Sequence, residues 1–73
     1  MLEYILMKLT QKDISFNLNT FKEYISLTFE INNQLQMINI HFNEHRLRYY
    51  LVSNEIKQIS KKELKELIDT ILT

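Results

Sequence analysis

The 73-residue chain contains no glycine, proline, cysteine, tryptophan or alanine. Each absence removes a mechanism. Without glycine there is no phosphate-cradling loop, dinucleotide fingerprint or nucleophile elbow, because all three need backbone that only glycine adopts cheaply. Without cysteine there is no disulfide framework, no thiolate nucleophile and no thiolate metal site. The absences also have a compositional reading. Glycine, alanine and proline codons begin with two G or C bases, whereas lysine outnumbers arginine seven to two and isoleucine and asparagine are abundant. A gene from an AT-rich genome, such as a phage or plasmid reading frame, drifts this way without selection on mechanism.

Length and charge narrow the class. The chain reads as a single domain, residues 1–73, near the lower size limit for a core with no disulfide or metal to staple it. An apolar fraction of 45% is that of a globular protein,. Formal net charge is zero, but residues 1–44 carry three lysines against five acids and residues 45–73 carry six basic groups against four. That offset steers a partner only weakly. No apolar run approaches membrane-span length, and the first residues carry no basic leader or small-residue cleavage site. The expected location is cytoplasmic, with no membrane association.

The last element has the clearest pattern. Ser60-Lys61-Lys62-Glu63 is a capping box, with Ile59 and Leu64 at the spacing of a hydrophobic staple,. Leu64, Leu67, Ile68, Ile71 and Leu72 follow as a single apolar stripe, which predicts an amphipathic helix,. Upstream, Ile25, Leu27, Phe29 and Ile31 alternate with Tyr24, Ser26, Thr28 and Glu30, the pattern of a half-buried strand,. Asn32-Asn33 reads as the next turn, asparagine being the best substitute for glycine where φ is positive. Ile38, Ile40 and Phe42 then share one face. Leu35 and Met37 take the opposite parity, which implies either a bulge near Met37 or apolar residues facing out. Asn43-Glu44 reads as a second turn, followed by Leu47, Tyr49 and Leu51 alternating with Arg46, Arg48, Tyr50 and Val52.

The first third is less sharply patterned. Leu2, Ile5, Leu6 and Leu9 fit a short helix, although Tyr4, Leu6 and the residues around them also allow a strand; Ile14, Phe16 and Leu18 suggest an edge strand,. Thr20 to Glu23 also has capping-box spacing, which makes a helical turn at 20–25 the competing reading. The expected fold is α+β and two-layered: an N-terminal helix, a three- or four-stranded antiparallel meander, and a C-terminal amphipathic helix packed on one sheet face.

Few residues carry chemistry. His41, Glu44 and His45 are the one cluster of ligand-type residues, but the histidines flank a turn and no fourth ligand is spaced to join them,. No catalytic residue, metal or cofactor is assigned, and the expected class is non-enzymatic. Arg46, Arg48 and Tyr50 alternate onto one strand face, and Tyr24, Ser26, Thr28, Asn39 and His41 are placed to share it. Arginine and tyrosine anchor protein interfaces. Tyr24, Thr28, His41, Arg46, Arg48 and Tyr50 are therefore the candidate protein-binding residues. The leading reading is an adaptor or inhibitor encoded by a phage, plasmid or other mobile element, acting on a host enzyme or defence complex.

Two alternatives stand beside it. Arg46 and Arg48, or Lys61, Lys62 and Lys65 at the start of the last helix, could contact phosphates of double-stranded RNA or DNA. The outline of helix, three antiparallel strands and helix resembles the double-stranded RNA-binding domain. In that family a Lys-Lys-x-Ala-Lys segment opens the second helix and grips phosphates. Lys61-Lys62-Glu63-Leu64-Lys65 looks similar, with Leu64 at the alanine position. The family's glycine- and proline-containing loop has no match at Ile31–Leu35. The other alternative is a homodimerisation unit that uses an edge strand or the open sheet face.

Overall fold

A computed structural model describes residues 1–43, 46–52 and 55–72, and the side chains of all of these except Asn43, Arg46 and Leu47. The elements run α1 (Leu2–Gln11), β1 (Phe16–Thr20), β2 (Tyr24–Ile31), β3 (Gln34–Asn43), β4 (Arg46–Val52), β5 (Ile56–Ile59) and α2 (Lys61–Ile71). The strands form one antiparallel sheet in the order β1-β2-β3-β4-β5, a meander in which each strand pairs with its chain neighbours. The architecture is the expected α+β domain, with five strands in place of three or four.

Both helices pack on the same sheet face. Ile5 and Leu9 of α1 and Leu64, Ile68 and Leu72 at α2 join Leu27, Phe29, Ile38, Ile40, Tyr49 and Ile59 in one core cluster. The helix stripes and the strand parity thus point at one another, as their periods require. Tyr4 ties the two helices together at the rim. Its hydroxyl donates to Asp69 Oδ1, and the Lys8 and Lys65 ammonium groups each lie 5.6 Å from its ring centroid,. The hydrogen bond to Asp69, with help from partial burial and the carboxylate's charge, raises the Tyr4 phenol above its ordinary pKa,.

Turn chemistry is solved without glycine. Among the described residues, positive φ occurs at Asp13 (55°), Asn32 (52°) and Asn33 (64°). These are the residue types that tolerate the left-handed region at least cost. Asn32-Asn33 makes the two-residue link between Ile31 and Gln34, with the paired signs of a type I′ hairpin,. Asp13 closes α1 in a Schellman motif: its N–H bonds Thr10 O at 3.1 Å, and Ile14 N–H bonds Leu9 O at 2.9 Å,. At the other end of the chain, Ser60 Oγ accepts from Glu63 N–H at 3.1 Å and donates to the Glu63 carboxylate at 3.0 Å. Ile59 and Leu64 on either side of that cap are both buried.

Three expectations are resolved or corrected. Pairing from Tyr24↔His41 to Ile31↔Gln34 is unbroken, so Leu35 and Met37 face outward and no bulge intervenes. The helical turn at 20–25 does not form; Phe21 N–H bonds Tyr24 O at 2.8 Å and continues the β1–β2 ladder. The strand β5 is additional to the expected meander. It escapes pattern reading because it is four residues long and only Ile59 is buried. The second turn, expected at Asn43-Glu44, falls partly outside the described residues; Asn43 itself ends β3, paired with Arg46.

Candidate functional site

The sheet face opposite the helices is the candidate site. Register sorts its residues into cross-strand rows, since residues directly opposed in an antiparallel ladder point the same way. Tyr24, His41 and Arg48 make one row, and Asn19, Ser26, Asn39, Tyr50 and Gln58 the next. Asn17, Thr28, Met37, Val52 and Ile56 make the third.

The first two rows carry an aromatic ladder. Phe21 stacks on Tyr24 with centroids 4.7 Å apart, and Tyr24 stacks on His41 at 4.7 Å with 11° between the planes. Tyr50 then meets His41 edge to face at 4.6 Å. The spacing is close to the distance between neighbouring strands, so Phe21, Tyr24 and His41 pack face against face from one strand to the next,. Phe21 and His41 approach Tyr24 from opposite sides, because Phe21 extends β1 and His41 lies on β3. The faces of the Tyr24 ring are thereby consumed within the ladder. Arg48, opposite His41, is exposed at its flank.

The third row is apolar from β3 to β5. Met37 pairs with Val52 and Val52 with Ile56, giving a strip across β3, β4 and β5. Leu35 extends it along β3, and Leu35 and Ile56 are each 68% exposed. The face therefore carries an apolar strip beside its polar, aromatic and basic residues. Met37 and Val52, between Leu35 and Ile56, are half-buried, and an apolar strip across neighbouring strands marks an interaction site more often than isolated surface leucines do. Beneath the ladder, Asn39 Oδ1 is buried with no hydrogen-bond partner among the described residues.

The structure brings together Tyr24, His41, Arg48 and Tyr50 of the candidate set. Thr28 shares the face but belongs to the third row, where it lines a shallow groove of about 260 Å³ with Ser15, Asn17, Glu30 and Leu35. Arg46 opens β4 opposite Asn43, and its side chain lies outside the described residues. Lys61, Lys62 and Lys65 are exposed on α2, on the other side of the sheet from Arg48.

Sequence reasoning missed Phe21 and Ile56 as parts of this face, while the parity of Val52 and the outward reading of Met37 hold. Phe21 and Tyr24 are three residues apart, a spacing that also suits a helical turn. The apolar strip is dispersed over three strands and becomes visible only once register is known. Of the His41, Glu44 and His45 cluster, the last two lie outside the described residues. Among the described residues no group of three or more His, Cys, Asp or Glu side chains is placed to hold a metal ion. Nor is any helix there long and apolar enough to cross a membrane. No family model, curated protein or solved structure matches the chain.

Proposed function

We propose that the chain is a small non-catalytic module that binds another protein through the sheet face opposite its helices. The observation that carries this reading is the aromatic ladder Phe21–Tyr24–His41–Tyr50 running into the apolar strip Leu35, Met37, Val52 and Ile56. Tyrosine, arginine and exposed aliphatic side chains are what the buried centre of a protein interface uses. Single-stranded nucleic acid needs free ring faces on which bases can stack. Here Tyr24 offers none, since its two faces are covered by Phe21 and His41. Duplex binding calls for a clear basic excess, and the formal net charge here is zero.

In its fuller form the reading is of an inhibitor or adaptor. It would be encoded on a phage, plasmid or other mobile element and act in the cytoplasm on a host enzyme or defence complex. The support for that part is compositional: small size, zero net charge, and a residue usage that follows AT-rich codons.

The test is affinity capture with and without nuclease, comparing the unaltered chain with three variants. Arg48→Ser/Tyr50→Ser and Leu35→Ser/Ile56→Ser alter the candidate face, and Lys61→Ser/Lys62→Ser alters α2. The expected result is a discrete protein that survives nuclease, is lost with both face variants and is retained by the α2 variant. Recovery of nucleic acid that disappears with the α2 variant overturns the reading, as does undiminished capture by the face variants. Thermal melts of each variant establish that the fold persists.

A further inference from the structure

We infer that β1 is a self-pairing edge, through which two copies of this chain join their sheets about a two-fold axis at Leu18. The inference rests chiefly on β1 and its backbone groups, and it shares Phe21, Thr28 and Leu35 with the partner-binding face.

The backbone directions follow from two hydrogen bonds at the end of the ladder. Phe21 N–H bonds Tyr24 O and Phe42 N–H bonds Glu23 O. An antiparallel ladder alternates hydrogen-bonded and non-bonded pairs. Counting back from Phe21, the N–H and C=O groups of Asn19 and Asn17 face β2. Those of Phe16, Leu18 and Thr20 face outward from the sheet edge, since β1 has β2 as its single neighbour. A two-fold at Leu18 sets Leu18 against Leu18 of the second copy and Phe16 against its Thr20. The outward groups of each strand then meet those of the other. Any register shifted by one residue would oppose groups that are already bonded to β2.

Side chains favour the same arrangement. Phe16 and Leu18 are on the helix side of the sheet, opposite Phe29 and Leu27, yet remain 37% and 41% exposed. The helix layer leaves this margin open, and pairing two margins closes both. Natural edge strands are blunted by charge, proline or a bulge. From Ile14 to Phe21 there is no charged residue and no proline, and the β1–β2 register is unbroken. Between Ser15 and Phe21 a symmetric pair places no like charges opposite one another, and the acids Asp13 and Glu23 lie beyond the paired strands. The other edge, β5, is shorter and carries Lys57.

The second copy also fits on the outward face. Opposing Leu18 to Leu18 brings Phe21 opposite Ser15 of the other copy. Phe21 is 48% exposed, and Ser15 begins the groove of about 260 Å³ formed with Asn17, Thr28, Glu30 and Leu35. Each copy thus presents a projecting ring and a groove, related by the same axis, as an isologous interface requires.

The experiment is sedimentation velocity on the full chain over a range of concentrations, with charge variants at the axis. The expected result is a reversible dimer. Leu18→Glu and Leu18→Lys should each give monomer, because each opposes like charges, and an equimolar mixture of the two should restore the dimer. Phe21→Ala should weaken dimerisation about tenfold. Amide hydrogen exchange on the unaltered chain reads the same interface without mutation. Phe16, Leu18 and Thr20 amides should become protected as concentration rises, while Asn17 and Asn19 are protected throughout. A chain monomeric up to its solubility limit overturns the inference. So does a dimer in which those three amides still exchange freely, or in which the mixed variants fail to pair.

Discussion

Tyr24 and His41 stand directly opposite each other on β2 and β3, with rings stacked 4.7 Å apart and 11° from parallel. Neither ring is in the core cluster. The pair is held by cross-strand register and by its flanking rings, so its energy belongs to the surface ladder. A double-mutant cycle with Tyr24→Ala and His41→Ala should give a coupling of about 0.5–1 kcal/mol in urea unfolding. Strict additivity of the two substitutions would mean that the stack contributes nothing beyond its individual residues.

The buried Asn39 amide oxygen beside this ladder carries a cost. A buried acceptor without a donor forfeits its hydration, whereas an apolar side chain of similar size forfeits nothing. Asn39→Val also introduces a residue suited to a strand. It should raise stability by roughly 1 kcal/mol and the melting temperature by about 4–8 °C. A fall in melting temperature would show that Asn39 makes a stabilising contact. A variant that is more stable but binds its partner less well would assign the amide to recognition.

Tyr4 gives the domain a pH dependence at the alkaline end. Its phenol is raised above the ordinary value near 10 because the protonated hydroxyl donates to Asp69,. The folded chain therefore holds this proton more tightly than the unfolded chain does. The resulting stability is fully present below pH 10 and declines as pH rises through the folded-state value. Tyr4→Phe should lower the melting temperature at neutral pH. It should also lessen the alkaline decline relative to the unaltered chain, measured by thermal melts on both sides of pH 10. Parallel curves for the two chains would refute the assignment.

Asp13 is the αL residue of the α1 cap, a position where glycine is normally favoured,. Asp13→Gly should stabilise the fold by about 0.5–1 kcal/mol, relieving the left-handed backbone and removing a negative charge from a helix C-terminus. Denaturant midpoints at unchanged slope are the measurement. No gain would mean that the aspartate compensates locally for its backbone.

Much of this architecture is legible before any coordinates. The Ser60–Glu63 cap, the stripe Leu64, Ile68, Leu72 and the alternation Ile25 to Ile31 each rest on local spacing, and local spacing survives folding. The parity of Tyr24, His41, Arg48 and Tyr50 is legible for the same reason. What was hidden depends on registration between strands. Phe21 joins the ladder only because β1 continues past Thr20, and Met37, Val52 and Ile56 become neighbours only through two separate pairings. The strand β5 was hidden differently: Ile56 faces solvent and Lys57 takes the core parity, so no alternation announces it.

The sequential strand order also governs how quickly this chain can find its structure. Each hairpin closes a short loop, and loop-closure entropy for such steps is small. The sheet can therefore grow by adding one adjacent strand at a time. The costly step is the meeting of α1 and α2, whose Tyr4 and Asp69 are 65 residues apart. That step depends on the sheet having already drawn the helices to one side. Strand pairing should thus precede helix docking on the folding path, with substitutions at Asn32-Asn33 slowing refolding and Tyr4→Phe chiefly accelerating unfolding.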